Sequence, residues 1–284
     1  MNREFGLANK NGGGFFSNFF VSLSLALDAE KDNLIPYVIL DKTIFTKYSD
    51  YKGDANSWNW WFDQEIPDSN DTIIKLNYVN DNNFIYFPPP FYYNAVDKSE
   101  VFSKKWNRAE VDKSILFFNK YFKIKKHILQ QTEDFYQKYL NGKVNLGVMA
   151  RGTEFNLLHP QYGNQSVHDY INTVRDILKK QPEIDNIFLV TEDNDYVNLF
   201  KNTFDNVLVM DVFRRTTQSL EYCKYHWEWP YQGNPRPNHT KILGDECLSQ
   251  TLILGKCDYL ICKENSMSAG ALFFKENIKN VYYV

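Results

Sequence analysis

Arg151 follows the apolar run Val144 to Ala150 and opens the polar cluster Arg151-Gly152-Thr153-Glu154. An arginine fixed at the tip of a strand presents planar donors that suit a diphosphate, and it stays charged at any working pH. It would stabilise a departing nucleoside diphosphate. The same residue type in the same place also makes salt bridges, here to Glu154 or Asp193, and residue identity alone leaves both readings open. Two more polar clusters follow apolar runs: Thr191-Glu192-Asp193-Asn194 after Ile187 to Val190, and Glu264-Asn265-Ser266-Met267-Ser268 after Tyr259 to Cys262. In an open α/β sheet ligands bind outside the carboxyl ends of the strands, which is where all three clusters fall. Ser266 and Ser268 read as helix caps, and a capped helix N-terminus is also an anion site.

The elements that must position these clusters are clearest in the second half. Val144 to Ala150, Ile187 to Thr191, Val207 to Asp211, Tyr259 to Cys262 and Val281 to Val284 alternate with helical patterns. The first two helices show apolar spacing at Val167, Tyr170, Ile171, Val174 and Leu178, then at Tyr196, Val197, Leu199 and Phe200. Cys247 to Leu254 marks the third and Ala271 to Phe273 the last. The alternation predicts a parallel sheet wrapped by helices on both faces. In the first half, Gly12-Gly13-Gly14 leads into a helical face of Phe16, Phe19, Phe20, Leu23 and Leu27, then a strand over Leu34 to Leu40. From Tyr51 to Pro90 only short elements can be placed. Val111 to Leu140 reads as one or two helices, ended by Asn141-Gly142 as a C-cap. That turn sets the expected boundary between residues 1–141 and 142–284.

With 284 residues, 43% of them hydrophobic and 17% aromatic, the chain is long and apolar enough for two compact lobes. Lys plus Arg total 32 against 35 Asp plus Glu, so no net positive field would gather nucleic acid, and any anionic ligand is held by local groups. Cys223, Cys247, Cys257 and Cys262 form no CxxC pair and lack the paired spacing of a zinc site, and three of them lie in apolar stretches as small core residues. Phe15 to Leu27 has the length of a signal-peptide core, but Ser17, Asn18, Ser22 and Ser24 interrupt it and no basic leader precedes it. No stretch approaches the roughly 20 apolar residues of a membrane span. The expected location is the cytoplasm, with peripheral contact to the inner face of the membrane.

Leu146-Gly147-Val148-Met149-Ala150-Arg151-Gly152-Thr153-Glu154 resembles the His-x-Arg-x-Thr-Asp motif of the α1,6-fucosyltransferase, nodulation fucosyltransferase and protein O-fucosyltransferase superfamily. Phe188 to Asp193 is similar to that superfamily's Phe-x-x-Thr-Asp-Asp motif. Gly244 to Leu248, with Leu254 to Ile261 and Ser266-Met267-Ser268, resembles its third motif, and Gly12 to Asn18 its opening glycine turn. The four patches keep their order along most of the chain. The resemblance implies an α/β, GT-B-like architecture of two Rossmann-like lobes with a cleft between them. It implies transfer with inversion from a nucleotide-sugar donor, GDP-fucose by default, to a glycan or lipid-linked saccharide acceptor, without a metal or other cofactor. By the same carry-over Arg151 binds the β-phosphate, while Thr191, Glu192, Asp193, Ser266 and Ser268 line the nucleotide. Gly13, Gly14 and Asn18 face it from the first lobe. The family's histidine is Met149 here and its second basic residue is Gly152, so the nucleotide and the sugar stay open.

A base near the acceptor hydroxyl assists such a displacement. Some members carry a glutamate where this chain has His159, which titrates near neutral pH, and Glu154 competes for the role. Asp193-Asn194-Asp195 has the form of a metal-binding DxD, but its place at a strand end favours a helix cap. Trp58, Trp60, Trp61, Trp227 and Trp229, with Tyr92 and Tyr93, suggest a stacking floor for an acceptor sugar, because Asn, Asp and Gln residues flank them. Phe213 to His239 is long enough to be a binding loop or lid. The expectation is an inverting transferase of surface polysaccharide biosynthesis. Its rivals are a transferase using another sugar nucleotide and a non-catalytic glycan- or nucleotide-binding protein of the same fold. A Rossmann oxidoreductase is disfavoured, since Gly12-Gly13-Gly14 lacks the GxGxxG spacing.

Overall fold

The computed structural model describes residues 3–6, 14–31, 35–40, 55–65, 74–77, 108–152, 166–214, 236–263 and 265–284. The chain forms two compact units, Met1–Leu129 and Gln130–Val284. The division falls inside a helix, whereas the sequence reading sets it at the turn that ends that helix.

In the first unit, β1 (Arg3–Gly6) lies between β2 (Pro36–Ile39) and β4 (Ile74–Asn77), all three parallel. Between β1 and β2 runs α1 (Phe15–Lys31), which buries Phe15, Phe16, Phe19, Phe20, Leu23 and Ala26. These positions recur at three- and four-residue intervals, so they form one apolar stripe. The stripe meets Trp58 of a 3-10 turn (Ser57–Trp60), with Trp61 and Phe62, the latter opening β3 (Phe62–Gln64). Phe19 stacks on Trp58 at 6.0 Å, and Trp58 meets Phe62 at 4.5 Å between ring centroids.

Trp58 and Trp61, each 1% exposed, are therefore core residues and not a stacking floor. Their polar neighbours are equally structural. Asn56 accepts from the Leu40 and Trp58 amides and donates to the Val38 carbonyl, while Gln64 both accepts from and donates to Val38. The two side-chain amides complete the open edge of β2 as a further strand would. Trp227, Trp229, Tyr92 and Tyr93 lie outside the described residues. The helical pattern after Val111 resolves into α2 (Arg108–Tyr121) and α3 (Lys126–Tyr139), separated by a strand the sequence reading lacks, β5 (Phe122–Ile124). It pairs antiparallel with β3, because Phe122 completes the aromatic core against Trp58 and Phe118. Gly142, with φ +73°, ends the Asn141-Gly142 turn as expected of a C-terminal glycine.

The second unit holds a five-stranded parallel sheet of β6 (Asn145–Met149), β7 (Asn186–Val190), β8 (Val207–Leu208), β9 (Tyr259–Cys262) and β10 (Asn280–Tyr283), in spatial order β10-β9-β6-β7-β8. Every residue of β6, β7 and β9 is buried, the mark of a parallel strand covered on both faces. One face, with Leu146, Val148, Ile187, Leu189 and Ile261, packs on α4 (Val167–Lys180) and α5 (Asn194–Thr203). The other meets α3 through Phe135 on Phe188, and also α6 (His239–Lys256) and α7 (Ser266–Phe273). From β6 the chain steps outward to β7 and β8, then returns to the far side of β6 for β9 and β10. The strand order reverses between β6 and β9, and a crevice at such a reversal is where this kind of sheet takes its ligand.

At the opposite end of the sheet, Asn145 donates to the Leu140 and Lys143 carbonyls and accepts from Asn186, closing the amino ends of β6 and β7 with satisfied amides.

Candidate functional site

Arg151 and Gly152 leave the end of β6, Glu192 and Asp193 leave β7, and Asn265 and Ser266 open α7 after β9. The first two tips are joined directly. The Glu192 carboxylate accepts from the Gly152 amide at 3.0 Å and lies 3.5 Å from Arg151 Nε. Glu192 is thus a partner of Arg151 that the sequence did not single out, and Glu154 lies outside the described residues. The pair is half-exposed, with 35% of the arginine side chain and 18% of the glutamate in solvent. A partly exposed guanidinium beside a carboxylate has the planar donors that suit an anion.

Asp193 opens the next helix. Buried, it is the N-cap of α5, accepting from the Asp195 amide at 2.8 Å, and its own amide donates to Thr191 Oγ1 at 3.2 Å. The Asp193-Asn194-Asp195 segment therefore caps a helix. Among the described residues no group of three or more His, Cys, Asp or Glu side chains could hold a metal ion. Gly152 is required by the closeness of the two tips: a Cβ there would lie 2.6 Å from Asp193 Cβ. No basic side chain fits at 152 without moving the cap of α5.

At the third tip, Asn265 accepts from the Met267 and Ser268 amides at 2.9 and 3.0 Å, so the cap of α7 is Asn265 and not a serine. Ser268 is fully buried, and its hydroxyl donates to the Lys263 carbonyl at 2.6 Å. It ties the end of β9 to α7 and faces inward, while Ser266 is half-buried at the first turn of the helix. Beneath the tips lies the fully buried Tyr170 of α4. Burial drives its phenol far above the ordinary range, Glu192 adds to the effect, and the facing Arg151 main chain opposes it without a formed hydrogen bond.

A second charged group, absent from the sequence reading as a site, stands beside the β7 and β8 tips. Arg214 donates to the Thr191, Met210 and Val212 carbonyls at 3.2, 2.8 and 3.4 Å. β8 stops at Leu208 instead of continuing to Asp211, and beyond its end the Met210 and Val212 carbonyls accept from this side chain. Glu246 of α6 accepts from Arg236 at 2.8 Å and from the Phe213 amide at 3.2 Å. Burial raises its pKa, opposed by Arg236 and Arg214. The position of Arg214 just past a strand end was the available signal.

In the first unit Asn18 is 3% exposed and lines a small aromatic cavity with Phe15, Phe19, Trp58 and Phe62. Gly14 has open space around its Cα. Gly13, Glu154 and His159 lie outside the described residues. Among the described residues, Cys257 and Cys262 are buried, Cys247 is partly exposed, and no helix is long and apolar enough to cross a membrane.

No protein-family model matches the chain, and no curated protein does. Solved structures do. A crystal structure of the NodZ α-1,6-fucosyltransferase soaked with GDP-fucose superposes with a TM-score of 0.57 at 12% identity, covering 96% of this chain and 92% of that one. The fucosyltransferase NodZ from Bradyrhizobium gives 0.55 at 13% identity, over 96% and 93%. NodZ co-crystallised with GDP gives 0.56 at 12%, over 96% and 92%. The fold is that of NodZ-type fucosyltransferases, as the motif resemblance leads one to expect.

Proposed function

We propose that this chain is an inverting glycosyltransferase that moves fucose or a related sugar from a GDP donor to a glycan hydroxyl, in the assembly of a surface polysaccharide. The observation that carries the reading is the placement of Arg151 at the point where the strand order reverses, oriented by Glu192 and half-open to solvent. Support comes from a fold shared with enzymes whose crystals were treated with GDP-fucose or GDP.

In the proposed reaction the acceptor hydroxyl attacks the anomeric carbon from the face opposite the nucleotide. Its proton passes to a base, for which His159 and Glu154 are the candidates. The bond between the anomeric carbon and the phosphate oxygen breaks, its electron pair stays on the diphosphate, and Arg151 stabilises that charge. The role needs no metal: the arginine supplies the positive charge itself. The half-buried Glu192 is suited to a hydroxyl of the ribose or sugar, since its second oxygen is not used by Gly152 or Arg151.

The deciding experiment measures GDP release from GDP-fucose, with and without a panel of glycan acceptors. Acceptor-dependent release is expected. Tight GDP binding with no release on any acceptor would favour a binding protein of the same fold, and release from a different sugar nucleotide would move the donor assignment.

A further inference from the structure

Arg214 is separated from the donor site by one strand, yet it is bonded to the peptide that carries that site's glutamate. Its Nε donates to the Thr191 carbonyl at 3.2 Å, and its two terminal nitrogens reach Met210 at 2.8 Å and Val212 at 3.4 Å. Thr191 is itself fixed from its other side, because its hydroxyl accepts from the Asp193 amide at 3.2 Å. The next residue is Glu192, whose carboxylate spans to Gly152 and Arg151. A continuous chain of contacts therefore runs from the end of β8, through the end of β7, to the guanidinium at the end of β6.

We propose that Arg214 is a positioning residue of the donor site, holding the Thr191–Glu192 peptide so that Glu192 presents Arg151 to the diphosphate. The inference rests on the reading of that site given above. Only an arginine fits the task. Its planar fork addresses carbonyls from two strand ends at once, whereas a lysine is a point charge on a flexible stem. Burial lowers the Arg214 pKa, and the neighbouring charges of Asp211 and Glu246 oppose that shift. Glu246 is in turn bonded to Arg236 and to the Phe213 amide, which anchors the segment carrying Arg214 to α6.

The test is a double-mutant cycle on GDP affinity, measured by calorimetry on folded protein, with Arg214→Lys, Glu192→Gln and their combination. Arg214→Lys is expected to weaken GDP binding on the order of tenfold, the scale of a small misplacement of a binding group. In the Glu192→Gln background it is expected to add little, because both changes act through one contact. Full affinity in Arg214→Lys, or losses that add independently, overturns the proposal. So does a purely structural outcome, in which Tm falls in both backgrounds while the folded fraction binds GDP normally, or in which neither Arg214→Lys nor Arg214→Gln folds. Arg151→Ala separates the two levels: if it too binds GDP as the wild type does, the donor-site reading fails, and if it alone loses GDP, only the role of Arg214 fails.

Discussion

Arg151 and Glu192 approach to 3.5 Å at a half-exposed tip, a geometry in which an ion pair contributes at most about 1 kcal/mol to stability. Removing a group that stabilises developing charge costs about two orders of magnitude in rate, or roughly 2.7 kcal/mol. The two magnitudes separate the structural from the functional reading of the arginine. Arg151→Ala is expected to keep its Tm within about 4 °C, and to lose on the order of a hundredfold in turnover. Normal turnover in a folded variant would leave the arginine as a surface ion pair. Gly152 makes the complementary case. A methyl there meets the buried cap Asp193 at 2.6 Å, so Gly152→Ala should lower stability by about 1–3 kcal/mol in chemical denaturation, as overpacking does. Wild-type stability would mean that the two tips have slack. The sequence shows Arg151 because its chemistry is carried by one residue type at a strand end. Glu192 was not legible as its neighbour, since an acidic residue type does not say which strand tip faces the guanidinium. Trp58 and Trp61 misled for a related reason: the amides of Asn56 and Gln64 beside them look like a wet cleft and instead complete the edge of β2.

The elements were legible where burial is two-sided. β6, β7 and β9 are covered on both faces and so read as unbroken apolar runs. β1 and β4, with sequences Arg-Glu-Phe-Gly and Ile-Lys-Leu-Asn, mix polar with apolar positions over four residues and give no such run. β5 hid inside a helical pattern because Phe122 continues the aromatic spacing of α2. Helix packing around the third strand tip depends on two glycines with different tolerances. Gly255 of α6 faces backbone, since an added Cβ would lie 2.8 Å from the Phe274 carbonyl oxygen and 3.1 Å from that of Ala271. Gly147 of β6 faces side chains, with Leu254 Cδ2 at 2.9 Å and Cys257 Sγ at 3.3 Å. Backbone at the end of a helix cannot rotate aside as a leucine methyl can. Gly255→Ala is therefore expected to cost more than Gly147→Ala, about 2–3 against about 1 kcal/mol in urea unfolding. It should also disturb GDP binding, because α7 carries Asn265 and Ser266. The reverse order of stabilities would show that the end of α7 is free to shift.

At the scale of the whole chain, a net charge of −3 provides no general attraction for a nucleotide, so in the proposed function the affinity comes from the few groups at the strand tips. A ligand that binds only the folded state stabilises it by RT ln(1 + [L]/Kd), about 2.7 kcal/mol at a hundredfold excess over Kd. For folding units of this size each kcal/mol moves Tm by roughly 2–4 °C, so GDP should raise the melting transition by about 5–10 °C. The chain has two units with separate cores, and the shift belongs to the transition of Gln130–Val284, which holds all three tips. Hydrogen exchange can assign it: amides at 150–152, 191–193 and 265–268 should slow on adding GDP, while those in the aromatic core around Trp58 report the first unit. UDP and NAD carry diphosphates too, so Arg151 alone would give them a smaller shift. The difference between GDP and UDP measures how much the base contributes. An equal response to all three would reduce the site to a diphosphate clamp with no donor preference. A GDP shift that survives Arg151→Ala would place the nucleotide elsewhere on the molecule and remove the strand-tip assignment altogether.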